Sequence, residues 1–416
     1  MYRAPRGTAD VLPEEQGYWR YIEARARALG QRFGYQRLDT PVFEQTALFV
    51  RGVGQGTDIV EKEMYSFLDR GGDSMTLRPE GTAPVCRAYL EHGMHNQPQP
   101  VRLYYFSPAF RYERPQAGRF RQHHQFGVEA LGDGDPSVDA EIVEMAWRLM
   151  EDLGLRDLTL LLNSIGDSEC RPAYLEHLRA YYASRVERLC QDCRGRLERS
   201  PLRLLDCKQE ACQALAQEAP RSIDHLCHPC RDHWEELMKC LRRLDIPFRV
   251  EPRLVRGLDY YTRTVFEIQP PEERAQSTLC AGGRYDGLIQ ELGGPPTPGI
   301  GFAAGMERMV SNVKGQGVPV PQEESVRVVI AYLGDEAKGE ALSLASQLRS
   351  KGIGAVLAPA GKSLRAQMRY ANSLGVSYAL ILGEEEMRSG SALLRDMAKG
   401  EQRVVPLQGV AEELAN

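Results

Sequence analysis

The sequence predicts an α+β protein. An antiparallel-sheet domain spans residues 1–320, with a Cys-rich helical insertion at about 168–250, and a smaller α/β domain spans 325–416. Three observations carry this. In the N-terminal part, strand-like runs are scattered irregularly among helices, the pattern of α+β chains rather than doubly wound ones. Seven of the ten cysteines fall between Cys170 and Cys230, in a stretch of short helices with charged faces. After the Pro/Gly-containing stretch Gly315–Glu324, strands and helices alternate regularly, which implies a parallel α/β unit.

The elements follow in order. Tyr18, Tyr21, Ile22, Ala26 and Leu29 recur at helical spacing and predict a helix over 14–33, ending near Gly30 and Gly34. Short mixed segments follow at Arg37–Phe49, Met64–Leu68 and Met75–Leu77, then a helix from Thr82 with Val85, Ala88 and Tyr89 on one face. Val101–Phe110 and Gln125–Leu131 read as strands flanking an Arg/Pro/Gly loop at Arg114–Arg121, a long hairpin. Beyond the insertion, a strand is predicted at Thr262–Ile268. Glycine-rich turns follow at Ala281–Gly287 and Gly293–Gly301, leading into an apolar helix through Phe302–Val310. The last part reads strand Val326–Leu333, helix Ala337–Ser350, strand Ala355–Ala358, helix Lys362–Leu374 and strand Tyr378–Leu382.

At 416 residues the chain is too long for one ordinary core. Its 42% hydrophobic and 26% charged residues are an ordinary globular balance, and no apolar run approaches membrane-spanning length. The N-terminus lacks a signal-peptide core, so a cytoplasmic protein is expected. A net charge of −5 offers no global basic footprint, so any polyanion must be held by local patches. Cysteines in such a chain are expected reduced, metal-bound or catalytic.

Gly52-Val-Gly-Gln-Gly56 has the wrong spacing for a dinucleotide fingerprint, and no Gly-Lys-Ser/Thr phosphate loop exists. More telling is Phe110-Arg111-Tyr-Glu113-Arg114-Pro-Gln116-Ala-Gly-Arg119-Phe-Arg121. Four arginines in eleven residues across a hairpin tip repel one another unless an anion lies between them, although a solvated charged loop is the plain alternative. Arginine suits phosphate because its planar fork donates two parallel hydrogen bonds and stays charged.

This string resembles the second signature motif of class II aminoacyl-tRNA synthetases. Gly299-Ile-Gly301-Phe-Ala-Ala-Gly305-Met-Glu307-Arg308 resembles their third, and Leu38–Val50, with Pro41 inside, resembles their first. The His-Ile-Gly-His and Lys-Met-Ser-Lys-Ser strings of the other synthetase class are absent. Leu254-Val-Arg256-Gly-Leu-Asp259-Tyr260-Tyr261-Thr-Arg263-Thr-Val-Phe-Glu267 closely resembles the histidine-specific signature of histidyl-tRNA synthetases. It is supported by Arg6-Gly-Thr-Ala-Asp10, Leu77-Arg78-Pro79-Glu80-Gly81-Thr82-Ala83 and Gly283-Arg284-Tyr285-Asp286-Gly287. The strings occur in family order across the whole chain.

The resemblance implies a class II antiparallel-sheet catalytic domain and a C-terminal α/β anticodon-binding domain. It also implies ATP-dependent activation of L-histidine, with Mg²⁺, and transfer to the 3′ end of tRNA(His). Activation brings two anions together, so positive charge is needed where negative charge develops. By resemblance, Arg111 and Arg256 flank the α-phosphate, Arg308 and Arg119 hold the γ end with Mg²⁺ bridging β and γ oxygens, and Glu113 meets the adenine amino group. Glu80, Gly81, Thr82 and Gln125 bind the amino-acid end of histidine. Glu129 with Tyr261 answers the donor and acceptor of its imidazole, and Tyr260 and Tyr285 wall the pocket. Arg114 and Gln116 face the tRNA acceptor end, and Lys351, Lys362, Arg365 and Arg369 are candidate phosphate contacts beside the plainer reading of solvated helix faces. A homodimer is expected from the class. Two positions depart from the family pattern: His123 replaces an aromatic hydrocarbon ring at the adenine-stacking position, and Ala281 stands where glycine is common.

Cys190-Gln-Asp-Cys193 and Cys227-His-Pro-Cys230 are two Cys-x-x-Cys knuckles with 33 residues between them. Four thiolates from Cys190, Cys193, Cys227 and Cys230 suit a structural tetrahedral Zn²⁺, and buried small hydrophobes are the competing reading. Two rival functions share much of this pattern: a regulatory paralogue of ATP phosphoribosyltransferase, and a stand-alone ligase loading histidine onto another acceptor.

Overall fold

The computed structural model describes residues 2–113, 119–271, 278–321 and 326–414. It divides into two compact units, Met1–Val320 and Pro321–Asn416.

The first unit is built on an eight-stranded sheet in the order Gln36–Arg37, Val101–Phe110, Gln122–Leu131, Gly299–Gly305, Cys280–Arg284, Thr262–Gln269, Thr159–Ser164, Arg249–Val250. The six central strands pair antiparallel, and only the two short edge strands run parallel to their neighbours. Because side chains alternate across a strand, one register determines both faces. Phe126, Val128, Ala130, Ile300, Phe302, Ala304, Phe266 and Ile268 share the apolar face. It is covered by the helices Pro13–Arg32, Pro136–Asp152, His228–Arg243 and Met306–Gly315, all of which contribute to this core. The helix Pro136–Asp152 starts where its chemistry says it should: Asp135 accepts from the Ser137 amide at 2.8 Å, and Pro136 occupies the first turn. A second small sheet, Phe43–Gln45, Ser74–Leu77 and Tyr65–Leu68, precedes the helix Thr82–Glu91.

One reading is corrected by the structure. Phe302–Gly305 is strand rather than helix, and the helix begins at Met306. The segment lies at the sheet centre, between the strands Gln122–Leu131 and Cys280–Arg284, and a continuous apolar run does not tell a strand from a helix. The Cys-rich stretch lies within the first unit. Its last helix, His228–Arg243, sends Trp234, Leu237 and Leu241 into the main core, and its earlier helices pack Tyr174, Leu178 and Tyr182 into a cluster shared with Tyr260 and Tyr285.

A buried ionic network ties sheet to helices. Asp139 accepts from Arg284 Nε at 3.0 Å and from Arg284 Nη2, from His233 Nε2 at 2.8 Å and from Thr264 Oγ1 at 2.6 Å. Arg284, read in the sequence as part of a glycine-rich motif, is 0% exposed and belongs to this network.

The second unit is a five-stranded sheet, Ala355–Leu357, Val328–Tyr332, Tyr378–Leu382, Ser391–Asp396 and Gln402–Pro406. The first three strands are parallel, but the last two pair antiparallel, so the sheet is mixed rather than purely parallel. Among the described residues no helix is long and apolar enough to cross a membrane.

Candidate active site

The second face of the large sheet carries a cavity of about 910 Å³, within the usual range for small-molecule sites. Its floor follows from the strand register. Gly301 pairs with Glu129 and Gly283, and Ala303 pairs with Gly127 and Ala281, which places small residues side by side over several strands. Ala281, Gly301, Ala303 and Gly305 line the hollow, and long polar side chains rise around it.

At one end stand carboxylates and phenols. Glu80, immediately before the helix Thr82–Glu91, accepts from the amides of Thr82 at 2.6 Å and Ala83 at 2.9 Å, and from Tyr260 at 3.4 Å. Burial raises its pKa, while those amides and the helix N-terminus favour its charge. Glu129 accepts from Thr82 Oγ1 at 2.8 Å, Tyr105 at 3.0 Å and Tyr285. Burial pushes its carboxyl up to about 8, against the pull of the hydrogen bonds from Tyr285 and Thr82. Tyr260 and Tyr261 tilt together with ring centroids 4.7 Å apart, and Tyr285 meets Tyr260 edge-on at 5.7 Å.

Within the protein, the hydrogen-bond partners of Glu129 are Thr82, Tyr105 and Tyr285 rather than Tyr261. Glu129 is 1% exposed and is not among the lining residues. It sits so close behind Gly301 that a Cβ there would come within 1.9 Å of its Oε2. Its phenolic partners are Tyr105 and Tyr285, because strand register brings Tyr105 opposite Gly127, where its ring fills the space a side chain would take. Tyr261, Tyr260, Tyr285, Glu80, Gly81 and Thr82 do line the cavity. So does Gln125, whose Oε1 is buried with no hydrogen-bond partner among the described residues.

At the other end are cations. Arg111, Arg119, Arg256 and Arg308 all line the cavity, with Glu113 and His123. Arg111 donates Nε to the Pro79 carbonyl at 2.8 Å, which leaves the rest of its fork toward the hollow. Arg119 pairs with Glu113 at 3.0 Å, and Arg308 donates to the Thr278 carbonyl at 2.8 Å. Burial lowers the pKa of Arg308, and the charges of Arg111 and Arg119 lower it further, against the opposing pull of Glu113. Like charges gathered in a half-buried site mark a place for a polyanion. Arg256 approaches from the neighbouring wall, ion-paired with Glu267, its guanidinium 5.9 Å from the Tyr261 ring centre and its Nε buried without a hydrogen-bond partner among the described residues. Burial opposes its charge, but Glu267 and Tyr261 outweigh that and its pKa lies above the ordinary value. His123 is held down to about 3 by burial, then by Arg111 and Arg308, so its imidazole is a neutral ring on the cavity wall.

Arg114 and Gln116 lie outside the described residues. Sequence reasoning missed Tyr105, and it quoted Glu267 without a role. For Tyr105 a signal existed: adjacent Tyr104 and Tyr105 in a strand must face opposite ways, so one had to point to the site.

The four cysteines expected to share a metal are separated. Cys190 and Cys193 gather with Cys207 and Cys212, whereas Cys227 and Cys230 gather with Asp167 and Cys170. The knuckles are carried by different helices, and each finds partners near its own helix start.

A family model described as histidyl-tRNA synthetase matches residues 7–309, and one described as an anticodon binding domain matches residues 327–416. The sequence is 58% identical over 414 residues to the histidine–tRNA ligase of Dehalococcoides mccartyi, covering 100% of this chain and 99% of the relative. It is 51% identical over 410 residues to that of Pelotomaculum thermopropionicum, covering 99% and 96%. The apo crystal structure of S. aureus histidyl-tRNA synthetase is similar at a TM-score of 0.83 and 38% identity, covering 100% of each chain.

Proposed function

The chain belongs to the histidyl-tRNA synthetase family and is an aminoacyl-tRNA synthetase for histidine, and from that premise we propose which of its residues carry the chemistry. The observation that carries the assignment is the convergence of Arg111, Arg119, Arg256 and Arg308 on one cavity beside the Glu80, Thr82 and Gln125 cluster.

ATP lies with its phosphates among the arginines, the γ end toward Arg308 and Arg119 and the adenine amino group toward Glu113. The neutral ring of His123 offers a stacking face. The carboxylates of Glu267 and Glu307, which line the cavity, are the oxygen donors that would hold Mg²⁺, and the bound ion would supply positive charge against the triphosphate. Histidine enters at the carboxylate end. Its ammonium meets Glu80, Thr82 and the unpartnered Oε1 of Gln125, and its ring lies among Tyr260, Tyr261 and Tyr285. Glu129 is a positioning residue in this reading: it anchors the Tyr285 and Thr82 hydroxyls from behind the wall.

The histidine carboxylate oxygen attacks the α-phosphorus, a P–O bond forms, and pyrophosphate leaves with the electron pair of the broken bond. Arg111 and Arg256 stabilise the negative charge gathering on the α-phosphoryl oxygens. A terminal ribose hydroxyl of tRNA(His) then attacks the carbonyl of the adenylate, its proton is lost, and AMP departs. Arg114 and Gln116 are assigned to the acceptor end. Lys362, Arg365 and Arg369 of the second unit are exposed and suit phosphate contacts, while Lys351 is paired with Glu412. A homodimer is supported by the exposed apolar strip of Val42, Phe43, Phe67 and Leu68 on the small sheet. The cytoplasm, where tRNA is charged, is the place assigned to it.

The test is histidine-dependent ATP–pyrophosphate exchange, together with charging of bulk tRNA, by the wild type and Arg256→Ala. The wild type performs both, and the variant, still folded by circular dichroism, loses ~10²–10³ in exchange rate. Exchange at the wild-type rate removes Arg256 from its role. Wild-type exchange without charging favours the stand-alone ligase, and no exchange favours the regulatory paralogue.

A further inference from the structure

Outside the active site, the densest gathering of nucleophilic side chains is in the helical insertion. Cys190 caps the N-terminus of the helix Gln191–Arg199, Cys193 lies in its first turn, Cys207 precedes the helix Glu210–Gln217, and Cys212 is inside that helix. The four Sγ atoms all lie within 4.8 Å of one another, and Cys190 and Cys207 are 3.9 Å apart. A tetrahedron of thiolates around zinc, with Zn–S bonds of about 2.3 Å, has sulfur–sulfur edges of ~3.8 Å. The cluster is thus already close to the size the metal requires. Two backbone amides are aimed at sulfur: Cys193 N–H donates to Cys190 Sγ at 3.4 Å, and Cys190 N–H donates to Cys212 Sγ at 3.3 Å. Such donors stabilise thiolate charge, which an aliphatic core filler does not need. Cys193, Cys207 and Cys212 are buried, and all four are free of disulfides.

We propose that Cys190, Cys193, Cys207 and Cys212 bind one structural Zn²⁺ ion in a closed tetrahedral site. The all-sulfur donor set selects a soft or borderline metal and leaves no open position for catalysis. The ion joins the start of the helix Gln191–Arg199 to the segment leading into Glu210–Gln217. That junction matters to the active site. Leu205, Asp206, Cys207 and Lys208 line the large cavity. The same helix clasps the helical turn Ile59–Glu63 through Arg196 to Asp58 at 2.9 Å and Arg199 to Glu61 at 3.0 Å. A second cavity of about 420 Å³ lies where helix and turn meet, bounded also by Arg111 and Arg119. The metal therefore holds one wall of the catalytic cavity.

The other cysteine cluster does not support the same assignment. Asp167, its fourth member, already accepts from Arg263 at 3.2 Å and from the amides of Glu169 at 3.1 Å and Cys170 at 3.4 Å. It serves as the control.

The experiment is metal analysis of untagged, full-length protein purified without chelator, with the variants Cys207→Ser and Cys227→Ser alongside. About one zinc per chain is expected in the wild type and in Cys227→Ser, and less than about a tenth in Cys207→Ser. Because a variant can lose metal by misfolding, wild-type protein stripped by a chelator is also titrated with Co²⁺. Sulfur-to-cobalt charge transfer in the near ultraviolet and tetrahedral d–d bands in the visible are expected to saturate at one equivalent. Wild-type zinc below about a tenth of an equivalent overturns the proposal, as does a cobalt spectrum without thiolate charge transfer. Equal loss of metal from Cys207→Ser and Cys227→Ser overturns the four-cysteine assignment in favour of a site shared by both knuckles.

Discussion

Glu129→Gln isolates the electrostatic cost behind the carboxylate end of the cavity. The wild-type carboxyl has a folded pKa of about 8 against an ordinary value of 4.5, with burial as the largest cause. A raised carboxyl pKa means that the native state binds more protons than the unfolded chain between these two values. The stability it contributes is therefore fully present below about pH 4.5 and is lost as pH rises through about 8. The limiting slope is ~1.4 kcal/mol per pH unit, and across the window the loss amounts to ~4–5 kcal/mol. Glutamine cannot titrate, so its curve lacks this slope. At the acid end the protonated carboxyl presents one O–H to the hydroxyls of Thr82, Tyr105 and Tyr285, whereas the amide presents two N–H donors, a mismatch costing ~1–2 kcal/mol where wild-type stability is highest. Urea unfolding followed by far-ultraviolet circular dichroism from pH 5 to pH 9 should show the variant less stable at the acid end, with the curves closing or crossing toward the alkaline end. The Michaelis constant for histidine should rise more than kcat falls, because the variant loosens Tyr285 and Thr82 without touching the arginines. Stability curves that stay parallel across the whole range refute the reasoning.

The buried network predicts that Asp139→Asn destabilises the first unit by ~3–5 kcal/mol, since Arg284 keeps its charge and loses its main partner. A denaturation midpoint unchanged from wild type would contradict this. Replacing His123 by Phe should lower the Michaelis constant for ATP roughly two- to tenfold, the worth of ~0.5–1.5 kcal/mol of added aromatic contact. His123 is depressed to about 3 and stays neutral above pH 5, so wild-type and variant profiles for ATP should run parallel from pH 5 to pH 8. A change near pH 6.5 in the wild type that the variant lacks would show that the imidazole titrates after all.

Sequence alone determined the fold class, the hairpin, the helix from Thr82, the strand Tyr378–Leu382 and the family. Those depend on local periodicity or on ordered strings of chemically demanding residues, both of which survive without coordinates. It also singled out Arg111, Arg119, Arg256 and Arg308, and these line one cavity. What it could not determine depends on register and on pairing between distant segments. Whether Phe302–Gly305 is strand or helix is decided by the strands that flank it. Which phenol Glu129 meets is decided by Tyr105 lying opposite Gly127, and the cavity floor exists only because Ala281, Gly301 and Ala303 align across neighbouring strands. The cysteine pairing is the plainest case. Two identical-looking knuckles invited one metal site, yet each lies at the start of a different helix, and proximity in space, which spacing along the chain does not encode, divides them.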